Sequence, residues 1–134
     1  MTRMHHIDLT VSDLKRAIAF YDPILTRLGF RHDGAFTQRN ADWISDSIGI
    51  GLVQARAGHA LHDRYSPGLH HLAFNAESRA VVDEFHEFLV ARGVEILDPP
   101  AEYPQYGPGY YAVFFADPDG LKLEVAHTPA WAPR

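Results

Sequence analysis

Two histidine pairs, one near the start of the chain and one in its middle, are the residues best suited to chemistry. The first pair is His5-His6 and the second is His70-His71. Each pair opens a similar segment, in which an amphipathic stretch follows and ends at Gly29 or Gly93. If such duplicated modules pack symmetrically, equivalent side chains converge, and a metal site can form from residues far apart in sequence. The chain has no cysteine, so the metal ligands would be His, Asp or Glu.

Composition limits the classes of partner. The 134 residues are 46% hydrophobic and 22% charged, which is enough apolar material for the core of one domain. A formal net charge of -5 argues against sequence-independent nucleic-acid binding, which needs a basic surface. No apolar run is long enough to span a membrane, and no signal-peptide pattern is visible. We therefore expect a soluble, cytoplasmic protein whose partner is a small molecule.

The first copy of the repeat predicts a strand, a helix and three further strands within residues 4–55. In the first strand, Ile7, Leu9 and Val11 share one face, and His6, Asp8 and Thr10 share the other. Apolar residues then recur at helical spacing from a cap at Ser12 or Asp13 to Gly29. Pro23 lies inside this helix and predicts a kink or a break. The three strands are expected at 30–38, 42–47 and 48–55.

The second copy occupies residues 69–127, after a linker at 56–68 that is rich in glycine, proline and charge. Ser78 can cap its helix, which Gly93 ends. Strands are expected at about 94–98, 109–116 and 121–127. Residues 98–109 between the first two are dense in Tyr, Pro and Gly, which is typical of a functional lid or binding rim.

This order predicts an α+β fold in a single domain, residues 1–134, built from two tandem βαβββ modules. We expect a U-shaped, eight-stranded mixed sheet around a cleft, with the helices outside. Each half leaves sheet edges that a second subunit would cover, so a homodimer is expected.

Several segments resemble the vicinal oxygen chelate superfamily, which includes glyoxalase I, bleomycin-resistance and fosfomycin-resistance proteins, extradiol dioxygenases and methylmalonyl-CoA epimerase. Together they span nearly the whole chain, from about residue 4 to 127. The matching segments are His6-Ile7-Asp8-Leu9-Thr10-Val11-Ser12-Asp13-Leu14, Phe20-Tyr21, Leu28-Gly29-Phe30, His71-Leu72-Ala73-Phe74 and Asp117-Pro118-Asp119-Gly120-Leu121-Lys122-Leu123-Glu124.

The resemblance implies a metal site formed by the first and last strand of each module. Carried over by position, the ligands are His6, His71 and Glu124. The fourth position falls near Gly51, which cannot bind a metal, and Gln54 is out of register with it. Two histidines and a carboxylate suit one divalent ion per chain, namely Fe, Mn, Zn or Ni.

The residues at and near these positions distinguish between the activities known in the superfamily. Glyoxalase I usually has a Glu where this chain has Gly51. Extradiol dioxygenases typically have an acid/base Tyr ten residues before the Glu, where this chain has Phe114; Tyr110 and Tyr111 lie nearby. Fosfomycin-resistance proteins need a basic pocket, for which no Arg follows shortly after Glu124.

The leading hypothesis is a metal-dependent lyase, isomerase or dioxygenase that acts on a small oxygen-rich or aromatic metabolite. The metal would act as a Lewis acid, with Glu124 in the catalytic centre. The alternative is a non-catalytic, drug-sequestering binding protein with an aromatic cleft. Four further residues are candidates for the substrate cleft: Asp8, Trp43, Tyr110 and Phe114. Asp8 could instead be solvated and Trp43 part of the core, while His5 and His70 are interpreted as structural.

Overall fold

A computed structural model describes residues 3–129 and divides the chain into two compact units, Met1–Leu61 and His62–Arg134. Each unit contains one strand, one helix and three further strands, which form a four-stranded mixed sheet. The predicted α+β fold with two tandem βαβββ modules is therefore confirmed. No helix in the described part of the chain is long and apolar enough to cross a membrane.

The first module alternates buried and exposed residues along β1, as its sequence pattern predicts. Its elements are β1 (His6–Val11), α1 (Leu14–Arg27), β2 (Arg31–His32), β3 (Asn40–Ile44) and β4 (Gly49–Gln54). The strand order is β1-β4-β3-β2, with β1 and β4 parallel and the other neighbours antiparallel. Leu9 and Val11 are buried, whereas His6, Asp8 and Thr10 are exposed on the other face.

Helix α1 begins at an aspartate cap and ends at a glycine. The carboxylate of Asp13 accepts the backbone N–H of Arg16, which satisfies one of the unpaired donors of the first turn. Gly29 follows the last turn with a φ of 93°, a conformation that favours glycine. The expected break at Pro23 is wrong, because the helix continues through it. A proline removes only one backbone hydrogen bond, and the buried face of α1 offsets that loss.

The second module repeats this plan. Its elements are β5 (His71–Asn75), α2 (Arg79–Ala91), β6 (Ile96–Glu102), a 3₁₀ turn (Pro104–Tyr106), β7 (Tyr111–Ala116) and β8 (Lys122–His127). The strand order is β5-β8-β7-β6, with β5 and β8 parallel. Ser78 caps α2 as predicted, by accepting the N–H of Val81. The buried face of α2 packs on this sheet, where the rings of Phe85 and Phe115 lie 6.2 Å apart.

The expected strand at 94–98 and loop at 98–109 need correction. β6 extends to Glu102 and includes Pro99 and Pro100. Its pairing with β7 shifts register on either side of Asp98. β6 is an edge strand, and prolines are tolerated at edges and bulges because their missing N–H breaks no interior ladder. The prolines made residues from 98 onward look like a loop. That expectation is wrong because an edge strand can contain proline.

A tight turn fixes the register of the last two strands. The carboxylate of Asp117 accepts the backbone N–H groups of Asp119 and Leu121 at 2.9 and 2.8 Å. Asp117 is buried, and Gly120 completes the turn with a φ of 82°. This turn pairs β7 with β8 so that Phe114 lies opposite Glu124.

Candidate metal and substrate site

The second module brings its two predicted metal ligands together on the sheet face opposite α2. In the β5–β8 ladder, His71 lies beside Lys122 and Ala73 lies beside Glu124. Because side chains alternate along a strand, the two candidate ligands project from the same face. Nε2 of His71 lies 3.3 Å from Oε1 of Glu124.

This spacing suits two ligands of one metal ion. Donor atoms about 2.1 Å from a tetrahedral or octahedral ion lie roughly 3.0 to 3.4 Å apart. Glu124 is only 2% exposed, and a carboxylate that far from water needs a cation or hydrogen-bond donors. An imidazole and a buried carboxylate are also the donor types that divalent transition metals bind. The residues present therefore fit the implied metal.

Tyr110 holds the other oxygen of the carboxylate. Its phenol donates a hydrogen bond to Oε2 of Glu124, so Oε1 remains directed toward His71. Burial and this hydrogen bond raise the pKa of Tyr110 above its usual range, and the phenol stays a donor. Tyr111 points to the other face, where its hydroxyl donates to Asp83 of α2 at 2.5 Å. Of these two tyrosines, Tyr110 is therefore the one that reaches Glu124.

Both histidine pairs form the same contact. The Nδ1 atoms lie 2.8 Å apart in His5-His6 and 2.7 Å apart in His70-His71. A hydrogen bond between two such nitrogens requires one ring to donate and the other to accept. Since Nδ1 of His71 is used in this way, its Nε2 is the nitrogen that faces Glu124. His5 and His70 thus orient the rings of the two candidate ligands.

In the first module, His6 lies next to the carboxylate of Asp8. Its Nε2 is 3.6 Å from Oδ2 of Asp8, and Asp8 pairs across the ladder with Gly51. Gly51 in turn pairs with Asp42 of β3. A Cβ at position 51 would lie 2.2 Å from Oδ1 of Asp8 and 2.6 Å from Oδ1 of Asp42. The carboxylates of Asp8 and Asp42 therefore fill the space next to Gly51, where a side chain at the predicted fourth ligand position would begin.

Two other residues of the first module have structural roles. The side-chain amide of Gln54 accepts the N–H of Leu14 and donates to the carbonyl of Ser12, both at 2.8 Å. It joins the end of β4 to the start of α1. Trp43 is 1% exposed, and its indole N–H donates to Asp22 of α1 at 2.8 Å. Its ring packs in the core between sheet and helix, which favours the core alternative, and Trp43 also borders a cavity that His6 and Asp8 line, so its place in the substrate cleft stays a prediction.

Aromatic side chains form a wall beside Glu124. The rings of Tyr103 and Tyr106 stack with centroids 5.7 Å apart, and Tyr103 meets Phe114 edge-on at 5.4 Å. Tyr106 also contacts Tyr110 at 5.4 Å. The lid predicted from the Tyr- and Pro-rich segment is thus a packed aromatic group on the ligand face of the second module. Tyr106 and Tyr110 line cavities on this face, and their role in substrate binding stays a prediction.

The aromatic wall encloses a cavity of about 330 Å³, which we call the tyrosine cavity. An adjoining cavity of about 280 Å³ shares the histidine, the carboxylate and two of the tyrosines, and extends past Ala73 and Ala126. A small molecule that enters either cavity meets the His71–Glu124 pair. The residues that line the tyrosine cavity include His71, Tyr106, Tyr110, Phe114, Lys122 and Glu124.

Within residues 3–129, no three His, Asp or Glu side chains are grouped so that they could hold one ion. The second module contributes the His71–Glu124 pair, and the first module contributes His6 beside Asp8. The three-ligand site therefore stays a prediction.

Comparison with known proteins places the chain in a family. The Glyoxalase/Bleomycin resistance protein/Dioxygenase superfamily profile matches residues 3–125. The match covers most of the chain, and the protein belongs to this superfamily. The membership inferred from the strand histidines and the Asp-Pro-Asp-Gly segment is confirmed.

Individual relatives span nearly the whole chain. The uncharacterized protein YqjT of Bacillus subtilis (strain 168) is 37% identical over 91% of this chain and 96% of its own length. A 2-epi-5-epi-valiolone epimerase from an Actinomyces species is 31% identical over 97% of this chain and 81% of its own length. A solved glyoxalase-type structure from Bacillus halodurans superposes with a TM-score of 0.81 at 32% identity, over 93% of this chain and 95% of that one.

Proposed function

We propose that this protein is a metal-dependent enzyme that acts on a small oxygen-rich metabolite through a divalent ion held by His6, His71 and Glu124. The observation that carries the proposal is the 3.3 Å approach of His71 to a carboxylate that is 2% exposed. A bound divalent ion would supply Lewis-acid stabilisation of negative charge on a substrate oxygen. His6 would complete the ligand set from the first module.

Among the reaction classes of this superfamily, we favour redox-neutral isomerase or lyase chemistry. The epimerase relative supports this class, since it matches 97% of the chain. Phe114 also lies opposite Glu124, where a ring-cleaving dioxygenase would be expected to carry an acid/base tyrosine. Gly51 argues against the four-ligand arrangement of glyoxalase I.

The chain's own residues then have distinct tasks. Tyr110 fixes the orientation of Glu124 by holding Oε2. The rings of Tyr106 and Phe114 give the substrate an apolar wall and exclude water from one side. Water exclusion strengthens the electrostatic interactions made inside the cavity.

The rival function is a metal-free protein that sequesters an aromatic compound. The packed group of Tyr103, Tyr106 and Tyr110 favours it, because such rings bind aromatic ligands without a metal. An aromatic ligand that binds equally well with and without metal would select this function.

Elemental analysis of untagged protein purified without chelator tests the proposal. We expect about one Fe, Mn, Zn or Ni per chain in the wild type and a large loss in Glu124→Gln, which keeps the shape and the hydrogen bond to Tyr110. Glu102→Gln is the matched control, because that carboxylate is exposed and pairs with Arg79. Metal that remains stoichiometric in Glu124→Gln, or is absent from the wild type after incubation with excess ions, refutes the proposal.

A further inference from the structure

Lys122 is a cationic side chain inside the tyrosine cavity that the metal site does not use. It lies on β8 directly beside His71 in the ladder and two residues before Glu124, so it shares their face. Its Nζ sits 4.4 Å from the centroid of the Phe114 ring, and the residue is half-buried. The ammonium group is therefore held over an aromatic floor rather than extended into solvent.

The ammonium group has no carboxylate partner within the described part of the chain. The one carboxylate that lines the cavity belongs to Glu124, whose two oxygens already face His71 and Tyr110. A half-buried ammonium without a counter-ion binds an anion favourably, because part of its hydration has already been lost.

Among the described Asp, Glu, Lys and Arg side chains, two line the tyrosine cavity, Lys122 and Glu124. The carboxylate of Glu124 is engaged by His71 and Tyr110, so the ammonium group of Lys122 is the charge that remains available to a ligand. A cation in a cavity attracts anions into it.

We propose that Lys122 forms an oxyanion subsite, so that the substrate carries a carboxylate or phosphate group besides the oxygens that approach the metal. Lys122 and Glu124 are two residues apart on one strand and share a face, so one small substrate can contact both side chains. The rings of Phe114 and Tyr106 line the space between them. As a statement about substrate, this inference rests on the proposed function.

Benzoate and its neutral isostere benzamide test the subsite in the absence of metal. Binding to the metal-free full chain would be followed by NMR titration or calorimetry, with inorganic phosphate as competitor. We expect benzoate to bind at least about tenfold more tightly than benzamide, which is what one charge-assisted hydrogen bond supplies. Lys122→Met should abolish this preference and Lys122→Arg should retain it. Lys15→Met, which changes an exposed lysine of α1, is the control.

The outcomes separate this inference from the metal proposal. If phosphate displaces benzoate, the subsite accepts oxyanions in general. If phosphate does not displace benzoate, the subsite is shaped for carboxylates. Both results support the inference. Equal binding of benzoate and benzamide, no measurable binding of benzoate, or a preference that survives Lys122→Met overturns it. Because these titrations contain no metal, a wild-type protein that binds no metal in the elemental analysis would contradict the proposed function without changing this result.

Discussion

The phenol of Tyr110 donates its hydrogen bond to Oε2 of Glu124, the carboxylate oxygen that His71 does not approach. Tyr110 thus orients the Glu124 carboxylate so that its other oxygen faces His71. Groups that orient a metal ligand in this way contribute to affinity although they never touch the metal.

Tyr110→Phe should therefore weaken metal binding without unfolding the protein. Loss of the hydrogen bond that orients a ligand typically costs about 10- to 100-fold in affinity. Competition titration with a chromophoric chelator measures the change. Tyr111→Phe is the matched control, because that hydroxyl bonds Asp83 on the helix side of the sheet. Equal affinities in the two variants would show that Tyr110 does not orient the ligand.

The position of Tyr110 could have been predicted from strand alternation. Tyr110, Ala112 and Phe114 are two residues apart and share a face, and Phe114 pairs with Glu124. Tyr111 falls on the opposite face with Val113 and Phe115. The sequence named Tyr110 as a cleft candidate, but the alternation that separates it from Tyr111 was not applied.

Asp22 gives the fold a dependence on pH. Burial acts to raise its pKa, but hydrogen bonds with Trp43 and His32 outweigh burial and lower that pKa below its ordinary value of 3.8. A carboxyl whose pKa is lower in the folded state adds stability above its unfolded pKa, and that stability is lost as the pH falls through the folded pKa.

Denaturant unfolding of wild type and Asp22→Asn across acidic pH tests this sign. The wild type should lose more of its unfolding free energy than the variant as the pH is lowered from about 5 to 3. Asn retains an oxygen that accepts the Trp43 N–H, so the comparison isolates the charge. Parallel curves for the two proteins would exclude a stabilising role for the Asp22 charge.

Gln54 is predicted to matter for stability and not for metal. Gln54→Leu removes the hydrogen bonds to Leu14 and Ser12 and leaves the part-buried N–H of Leu14 without its acceptor. Such a change costs roughly 1 to 3 kcal/mol in the free energy of unfolding. Chemical denaturation and elemental analysis should show lower stability with unchanged metal content. Gln38→Leu, at an exposed position, serves as the control. Lost metal with unchanged stability would make Gln54 a ligand.

Sequence patterns predicted the secondary-structure elements better than they predicted the surroundings of individual side chains. The apolar stripes, the caps at Asp13 and Ser78 and the glycine stops are local signals, and the structure confirms them. The continuation of α1 through Pro23 and the location of Trp43 depend on tertiary packing, which no local pattern records. The carboxylates of Asp8 and Asp42 meet next to Gly51 because their strands are neighbours in the sheet. A local sequence pattern does not show which strands are neighbours.

The central claim is that one ion takes an imidazole from each module. X-ray absorption at the metal edge of zinc-loaded protein counts imidazole ligands directly. The account predicts two imidazoles per zinc in the wild type and one imidazole per zinc in each of His6→Ala and His71→Ala. The control His62→Ala should give the wild-type spectrum. A wild-type spectrum that persists in His6→Ala would contradict the account, because the ion would then be held by the second module without the first.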